Sequence, residues 1–187
     1  MRRWLIGVVA VVFVALSTAG AWAESAAPAE PNTYRIDDYR APTPETLRGA
    51  RVATTADVAV LWRQGAAFVD VLPRAPRPAN LPVGTLWRDR PHRNIPGSVW
   101  LPDTGYGALA AVTERYFEAG LQQATGGDRG KPLVIYCQRA CWMSWNAARR
   151  AVAMGYTDVV WYPDGTDGWE EAKLPFAEAS PVARSED

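Results

Sequence analysis

The segment over residues 133–154 constrains the fold of this chain more than any other part of it. A run of apolar residues over 133–136 predicts a buried strand that ends at Cys137. From about Ser144 onward, small and apolar residues recur at helical spacing. The segment therefore predicts a strand, a short loop that begins at Cys137, and a helix. This order is typical of α/β folds, in which ligands bind at the carboxyl ends of parallel strands.

Cys137 is the predicted nucleophile because of its place in this segment. The free N–H groups and the positive dipole end of the following helix favour a thiolate or an oxyanion, and such a setting lowers the pKa of a cysteine thiol. We expect Arg139 to add charge and Ser144 to add a hydroxyl donor. The alternative is an inert, buried thiol. The predicted anion-binding loop comprises Gln138, Arg139, Ala140, Trp142, Met143 and Ser144.

Cys141, in the same loop, has two interpretations. It could resolve a persulfide or a sulfenate on Cys137 by forming a disulfide, or the two cysteines could form a permanent structural disulfide in an oxidising compartment. A ring this small removes little entropy from the unfolded chain, less than the ~3 kcal/mol of a longer loop. Redox use or shaping of the loop therefore explains the pair better than stability does. Trp142 stands where haem attachment requires His, which disfavours a haem site.

The N-terminus has the pattern of a secretory signal. Arg2 and Arg3 precede an apolar core over residues 5–16, and Ala21-Trp22-Ala23 fits a cleavage site, so residues 1–23 are predicted to be removed. The alternative is an uncleaved membrane anchor, which typically needs about 20 apolar residues. The full chain has 20 basic and 20 acidic residues, so cleavage leaves a slightly acidic protein. We therefore expect neither a nucleic-acid partner nor a membrane association after cleavage.

The rest of the chain predicts one α/β domain with a mostly parallel central sheet flanked by helices. We assign residues 24–48 to a linker and an N-terminal arm, 49–180 to the domain, and 181–187 to a tail. The predicted elements are strands at 51–53, 67–71, 133–136 and 158–162, a turn that enters a strand over 95–101, and helices at 56–64, 108–123, from 144 onward, and 170–173. Residues 73–94, rich in Pro and Arg, predict a long loop without regular structure, which is usually either functional or disordered.

The long loop and the strand ends offer a second group of candidate residues. His92 is the only histidine, and it has no Cys or His cluster near it in sequence, so we predict no metal site. It is expected either in an exposed loop or at the mouth of the active site. The candidate pocket residues are Asp70, His92, Arg93 and Trp145. The arginines of the loop could recognise an anionic substrate or an acidic partner.

Short motifs along the chain, taken in order, resemble those of a rhodanese domain. They are Phe68-Val-Asp70-Val71, Ile95-Pro-Gly97-Ser-Val, Val134-Ile-Tyr-Cys137, Ala147-Ala148, Gly155-Tyr156 and Gly165-Thr-Asp-Gly168-Trp169. The resemblance covers about residues 49–175. More narrowly, Cys137-x-x-x-Cys141-Trp142 and the arm that begins at Tyr34 resemble a secreted rhodanese-like family. That family is named for its CxxCW-type motif and its association with PQQ-dependent alcohol catabolism.

The resemblance implies a rhodanese-like fold and a Cys137 that carries sulfur as a persulfide. It also implies a periplasmic accessory of PQQ-dependent quinoprotein dehydrogenases, with no cofactor bound to the protein itself. The chain departs from the sulfurtransferase pattern in two places. Leu72 and Pro73 follow the strand-end Asp70-Val71, where an Arg is common, and the cysteine loop lacks its usual Gly.

Two functions therefore stay open at this point. The first is an enzyme that moves sulfur or electrons through Cys137, acts on a small sulfur-containing or anionic substrate, and uses Cys141 as the resolving thiol. The alternative is a non-catalytic binding module, in which a bridged Cys137–Cys141 loop docks on a quinoprotein dehydrogenase or a cytochrome.

Overall fold

A parallel sheet between two layers of helices forms the centre of the protein. The computed structural model describes residues 27–86 and 91–184. The signal peptide predicted over 1–23, the loop arginines Arg88 and Arg90, and the end of the predicted tail lie outside the described residues. In chain order the elements are β1 (Arg51–Val52), α1 (Thr55–Arg63), β2 (Ala67–Asp70), β3 (His92–Asn94), β4 (Val99–Trp100), α2 (Ala111–Thr125), β5 (Leu133–Tyr136), α3 (Trp142–Ala153), β6 (Val159–Tyr162), α4 (Gly165–Glu171) and β7 (Ala177–Ala179).

The central sheet has the strand order β1-β6-β5-β2-β4. Each neighbouring pair in it is parallel. Every residue of β2, β5 and β6 is buried, as expected for parallel strands that are covered on both faces. The predicted fold class, an α/β domain with a mostly parallel central sheet flanked by helices, is therefore confirmed.

Each face of the sheet has its own hydrophobic core. Side chains alternate between the two faces along a strand, so Val69 and Ile135 pack with α2 and α3, whereas Phe68 and Val134 pack with α1 and α4. Cys137, the residue after β5, belongs to the core on the α2 and α3 side. The sheet thus fixes which layer of helices surrounds the cysteine.

The helices α1, α2 and α3 begin within three residues of the predicted positions. Thr54 precedes α1, and its side chain accepts a hydrogen bond from the Asp57 N–H while the Asp57 carboxylate accepts one from the Thr54 N–H. This capping box places the N-cap one residue before the predicted Thr55. At the end of α2, Gly126 adopts a left-handed conformation with φ 69°, which glycine tolerates without strain. No helix among residues 27–86 and 91–184 is long and apolar enough to cross a membrane.

Two parts of the chain differ from the prediction. The segment over 73–94, predicted as a loop throughout, ends in β3, and β3 pairs antiparallel with β7, which the sequence did not indicate. Both strands are short, and each is defined by a partner that is distant in sequence. In addition, α4 begins at Gly165 rather than near Glu170, so the predicted turn over 164–169 is largely helical.

Candidate active site

Cys137 and Cys141 lie at the two ends of a short loop between β5 and α3. Cys137 follows the last residue of β5, and Cys141 is the N-cap residue of α3. The two sulfurs form a disulfide, with a Cα–Cα distance of 6.4 Å. Cys137 is fully buried and Cys141 is 3% exposed. The strand, cysteine and helix therefore follow one another as the sequence indicates, and in this state both sulfurs are enclosed.

The start of α4 holds the cysteine loop from one side. The Thr166 N–H donates to the Cys137 carbonyl at 3.0 Å, and the Arg139 N–H donates to the Asp167 carboxylate at 2.9 Å. Gly165 has φ +51°, and a Cβ at this position would overlap the Cys137 carbonyl. A glycine is therefore required here both for its conformation and for space.

Sequence reasoning did not include these α4 residues in the candidate site. A signal is present in the sequence, because the Gly165-Thr-Asp-Gly168 motif is one of those that resemble a rhodanese domain. A glycine-rich segment after a buried strand was interpreted as a turn, and its contact with a loop 28 residues earlier in the chain is a tertiary feature.

Arg139 does not offer its charge to the cysteine sulfur in this structure. Its guanidinium donates to both Glu171 carboxylate oxygens at 2.6 and 2.7 Å and to Asp164 at 3.2 Å. The hydrogen bonds with Glu171 and then Asp164 raise the pKa of Arg139 further, so its charge is permanent but is balanced locally. The role predicted for Arg139, to stabilise a thiolate, is not fulfilled in the disulfide state.

Ser144 is likewise engaged elsewhere. Its hydroxyl donates to the Cys141 carbonyl at 3.0 Å and accepts from the Trp161 indole N–H at 3.0 Å. These bonds join the first turn of α3 to β6. The predicted donation from the Ser144 hydroxyl to Cys137 is therefore not made in this structure.

The remaining loop residues shape the backbone. Ala140 has φ 52°, a left-handed conformation that costs a non-glycine residue roughly 1–2 kcal/mol. The resemblance described above implies a glycine in this loop, which the chain lacks. Gln138 is partly exposed and pairs with Gly165 as an isolated β-bridge. Met143 is 5% exposed, and it is the residue that a Cβ at Gly105 would meet.

The N-terminal arm covers the cysteine loop from another side. The Trp142 N–H donates to the Tyr39 carbonyl at 3.0 Å, and the Trp142 indole N–H donates to the Pro42 carbonyl at 3.0 Å. Arg40 donates to the Arg139 carbonyl at 2.9 Å. The N–H groups of Arg139 and Trp142, both assigned to the predicted anion-binding loop, are thus already occupied by Asp167 and by the arm.

Asn146 on α3 anchors the same arm. Its amide oxygen accepts from the Arg35 N–H at 3.0 Å, and its amide nitrogen donates to the carbonyls of Arg35 at 2.9 Å and Gly105 at 3.0 Å. Asn146 is fully buried. Sequence reasoning missed this residue, although a polar side chain on the buried face of a helix is a signal that it has a specific partner.

Asp70 and His92 form a buried pair at the carboxyl end of β2. His92 Nε2 lies 2.7 Å from Asp70 Oδ2, and the two side chains are 12% and 0% exposed. The Leu72 N–H donates to Asp70 Oδ1 at 2.8 Å, and the rings of His92 and Trp100 have centroids 4.1 Å apart. Burial raises the pKa of Asp70, and the hydrogen bond with His92 opposes that rise. His92 is therefore not an exposed loop residue.

The four candidate pocket residues do not form one site. Asp70 lies in register with Tyr136 and with Trp100, so it belongs to the sheet face opposite to that of Cys137. The Arg93 guanidinium lies 5.1 Å from the centroid of the Phe176 ring. Trp145 is fully buried, and its indole donates to the Thr46 carbonyl at 3.1 Å. In residues 27–86 and 91–184, no group of three or more His, Cys, Asp or Glu side chains is arranged to hold a metal ion.

Comparisons with known proteins place this chain in a family. A family model described as the rhodanese-like domain matches residues 62–172, which is more than half of the chain. Seven chains of solved structures match. One of them is the solution structure of the 30 kDa polysulfide-sulfur transferase homodimer from Wolinella succinogenes. It is 16% identical, the match covers 73% of this chain and 85% of that chain, and the TM-score is 0.43. No protein with a curated description matches the chain.

Proposed function

This chain belongs to the rhodanese-like domain family. We propose that Cys137 accepts sulfane sulfur from a donor, and that the cysteine pair can then reduce this sulfur by two electrons. One observation carries the proposal: Cys137 ends a buried parallel strand and is paired with Cys141 at the start of the next helix. A thiol beside a helix N-terminus is stabilised as a thiolate. A second thiol within bonding distance allows a covalent intermediate to be resolved within the same loop.

The proposed cycle begins with the disulfide. A dithiol reductant supplies two electrons, breaks the S–S bond and leaves two thiols. The Cys137 thiolate then attacks the outer sulfur of a sulfane donor such as thiosulfate, a new S–S bond forms, and sulfite leaves. The Cys141 thiolate next attacks the Sγ of Cys137, the bond to the sulfane sulfur breaks, and sulfide leaves as the disulfide re-forms. The transferred sulfur gains two electrons and the cysteine pair loses two.

We further propose where and with whom this chemistry takes place. The N-terminal pattern supports export with removal of residues 1–23, and the motif at Cys137, Cys141 and Trp142 supports a periplasmic role in PQQ-dependent alcohol oxidation. The partner would be a quinoprotein dehydrogenase or a cytochrome. The protein itself would carry no cofactor other than sulfur on Cys137, so the association with PQQ would be indirect.

A second candidate function is a binding module without catalysis. It is favoured by the closed state of the loop, in which Cys137 is fully buried and the N–H groups of Arg139 and Trp142 already have acceptors. In such a module the disulfide would only shape the loop, and the surface around it would dock on a dehydrogenase or a cytochrome.

Intact-mass analysis of variants distinguishes the two functions. The Cys141→Ser variant, reduced and then incubated with thiosulfate, should gain the mass of one sulfur atom, because no resolving thiol remains. The wild type should release sulfide and return to the disulfide mass, and Cys137→Ser should do neither. Failure of Cys141→Ser to gain sulfur from thiosulfate or from polysulfide would favour the binding module.

A further inference from the structure

A small cavity lies at the carboxyl ends of β2 and β4. Its volume is about 190 Å³, much more than the roughly 30 Å³ that one water molecule occupies in the liquid. Its walls are formed by Leu72, Pro73, Arg74, Ala75, Pro91, His92 and Trp100. Most of this lining is apolar, and Arg74 and His92 are its titratable side chains. The cavity can therefore hold a small ligand that is partly apolar and partly charged.

Arg74 brings an unsatisfied donor to this cavity. Its Nε is buried and has no hydrogen-bond partner among the described residues. A buried donor without an acceptor costs roughly 1–3 kcal/mol, and more when the group is charged. The guanidinium presents its N–H groups as a planar fork, which matches the two oxygens of a carboxylate. A carboxylate in the cavity would supply the missing acceptor.

His92 is held in a fixed orientation at the same cavity. Asp70 binds its Nε2, and the ring lies against Trp100. The second ring nitrogen, Nδ1, has no hydrogen-bond partner in the part of the chain that the structure describes. The buried Asp70 is itself fixed by the Leu72 N–H, so the imidazole is oriented before any ligand arrives. Such orientation lowers the entropic cost of binding.

The charges around the cavity indicate the charge of the ligand. Asp70 lies behind His92, so the pair offsets much of its own charge. Among residues 27–86 and 91–184, the Arg74 guanidinium forms no ion pair. A ligand with one negative charge balances it. An inorganic dianion would leave a surplus negative charge and would lose its hydration against apolar walls without compensation.

We propose that this cavity binds a small organic monocarboxylate, whose oxygens accept hydrogen bonds from Arg74 and His92 and whose apolar part lies against Trp100. The walls of the cavity include no residue of the cysteine loop, and Asp70 belongs to the opposite face of the sheet. The proposed site is therefore formed by residues other than those of the cysteine loop. Its occupation does not depend on whether Cys137 transfers sulfur.

The single histidine of the chain gives a direct test. Protein purified without a histidine tag is titrated with butyrate at constant pH and ionic strength, and the imidazole resonances of His92 are followed by NMR. Butyramide serves as the neutral match for butyrate. We expect a saturable shift with butyrate and none with butyramide. Arg74→Gln should weaken butyrate binding at least tenfold, whereas Arg77→Gln, an exposed arginine of the same loop, should leave it unchanged.

Three results would overturn the proposal. The His92 resonances could show no saturable shift, butyramide could produce the same shift as butyrate, or Arg74→Gln could bind butyrate as tightly as the wild type does. Sulfate at matched ionic strength completes the test, because equally tight binding of sulfate would overturn the assignment to a carboxylate. The comparison of butyrate with butyramide uses the wild type alone, so it decides the question even if a variant fails to fold.

Discussion

Reduction of the Cys137–Cys141 disulfide should destabilise the protein only modestly. The two cysteines are separated by 4 positions in the sequence, so the bond closes a ring of about five residues. The chain-entropy relation for a disulfide loop then gives about 2 kcal/mol at 25 °C. For a domain of this size we expect the melting temperature to fall by roughly 4–8 °C. This is a small part of a typical stability of about 5–15 kcal/mol, so the reduced protein should remain folded.

The assay is urea unfolding followed by tryptophan fluorescence, with and without a phosphine reductant. The unfolding midpoint of the wild type should fall on reduction while the slope with urea stays nearly constant. The matched control is Cys141→Ser, whose midpoint should not respond to the reductant. Comparing each protein with itself removes the cost of placing a serine hydroxyl in a buried site. Intact mass before each experiment establishes the redox state.

Either of two results would refute this reasoning. A loss of more than about 4 kcal/mol on reduction would mean that the disulfide holds the domain together, since loop entropy cannot supply that much for so short a ring. The bridge would then be structural rather than a reactive pair. No loss at all, in protein shown by mass to be reduced, would mean that the entropy estimate does not apply to this loop.

Three further predictions follow from single contacts. Asn146→Ala removes two hydrogen bonds with Arg35 of the arm and one with Gly105. It should lower the free energy of unfolding, measured in urea, by roughly 2–4 kcal/mol. A decrease of less than about 1 kcal/mol would contradict this prediction. Gly126 has φ +69° and open space around it, so Gly126→Ala should lower the free energy of unfolding by about 1–2 kcal/mol. Gly165→Ala should lower it more, because this position combines φ +51° with an overlap at the Cys137 carbonyl. Burial raises the pKa of Asp70 in the folded state, so the folded protein holds the proton more tightly than the unfolded chain does. The stability that this protonated carboxyl contributes is fully present below its unfolded pKa of about 3.9. It is lost as the pH rises through the folded pKa. Asp70→Asn should therefore reduce the fall in melting temperature as the pH rises from the unfolded to the folded pKa of Asp70. If melting temperature falls with pH equally steeply in the variant and the wild type, the raised pKa is not that of Asp70.

The strands of the central sheet could be predicted because their signal is local. β5 and β6 are runs of four aliphatic or aromatic residues, and β2 has three apolar residues before Asp70, which is the pattern of strands buried on both faces. β3 (His92–Asn94) and β7 (Ala177–Ala179) have no such signal, because they are short and exist through their pairing with each other. α4 was interpreted mainly as a turn because glycine at its first and fourth positions disfavours a helix in isolation.

The candidate site, like the fold, could be predicted only in part. The position of Cys137 after a strand, and of Cys141 before a helix, could be predicted from adjacent residues. The groups that close the loop could not, because Asp167 is 28 residues from Arg139 and Arg40 is 99 residues from it. The partner of His92 is Asp70, 22 residues earlier. Nothing in the sequence between them fixes the path by which the chain returns to the sheet.

The closed loop, which favours the binding module, is also compatible with the enzyme. The arm holds the loop through the hydrogen bonds of Trp142 with Tyr39 and Pro42 and of Arg40 with Arg139. At about 0.5–1.5 kcal/mol for each bond, local release of this part of the arm costs roughly 2–5 kcal/mol. An opened arm would then be present in about one molecule in 30 to one in 5,000, which is an ordinary level for a local opening. The arm can therefore open many times without unfolding the domain, and under the proposed function reduction of the disulfide is the step that frees Cys137 to react.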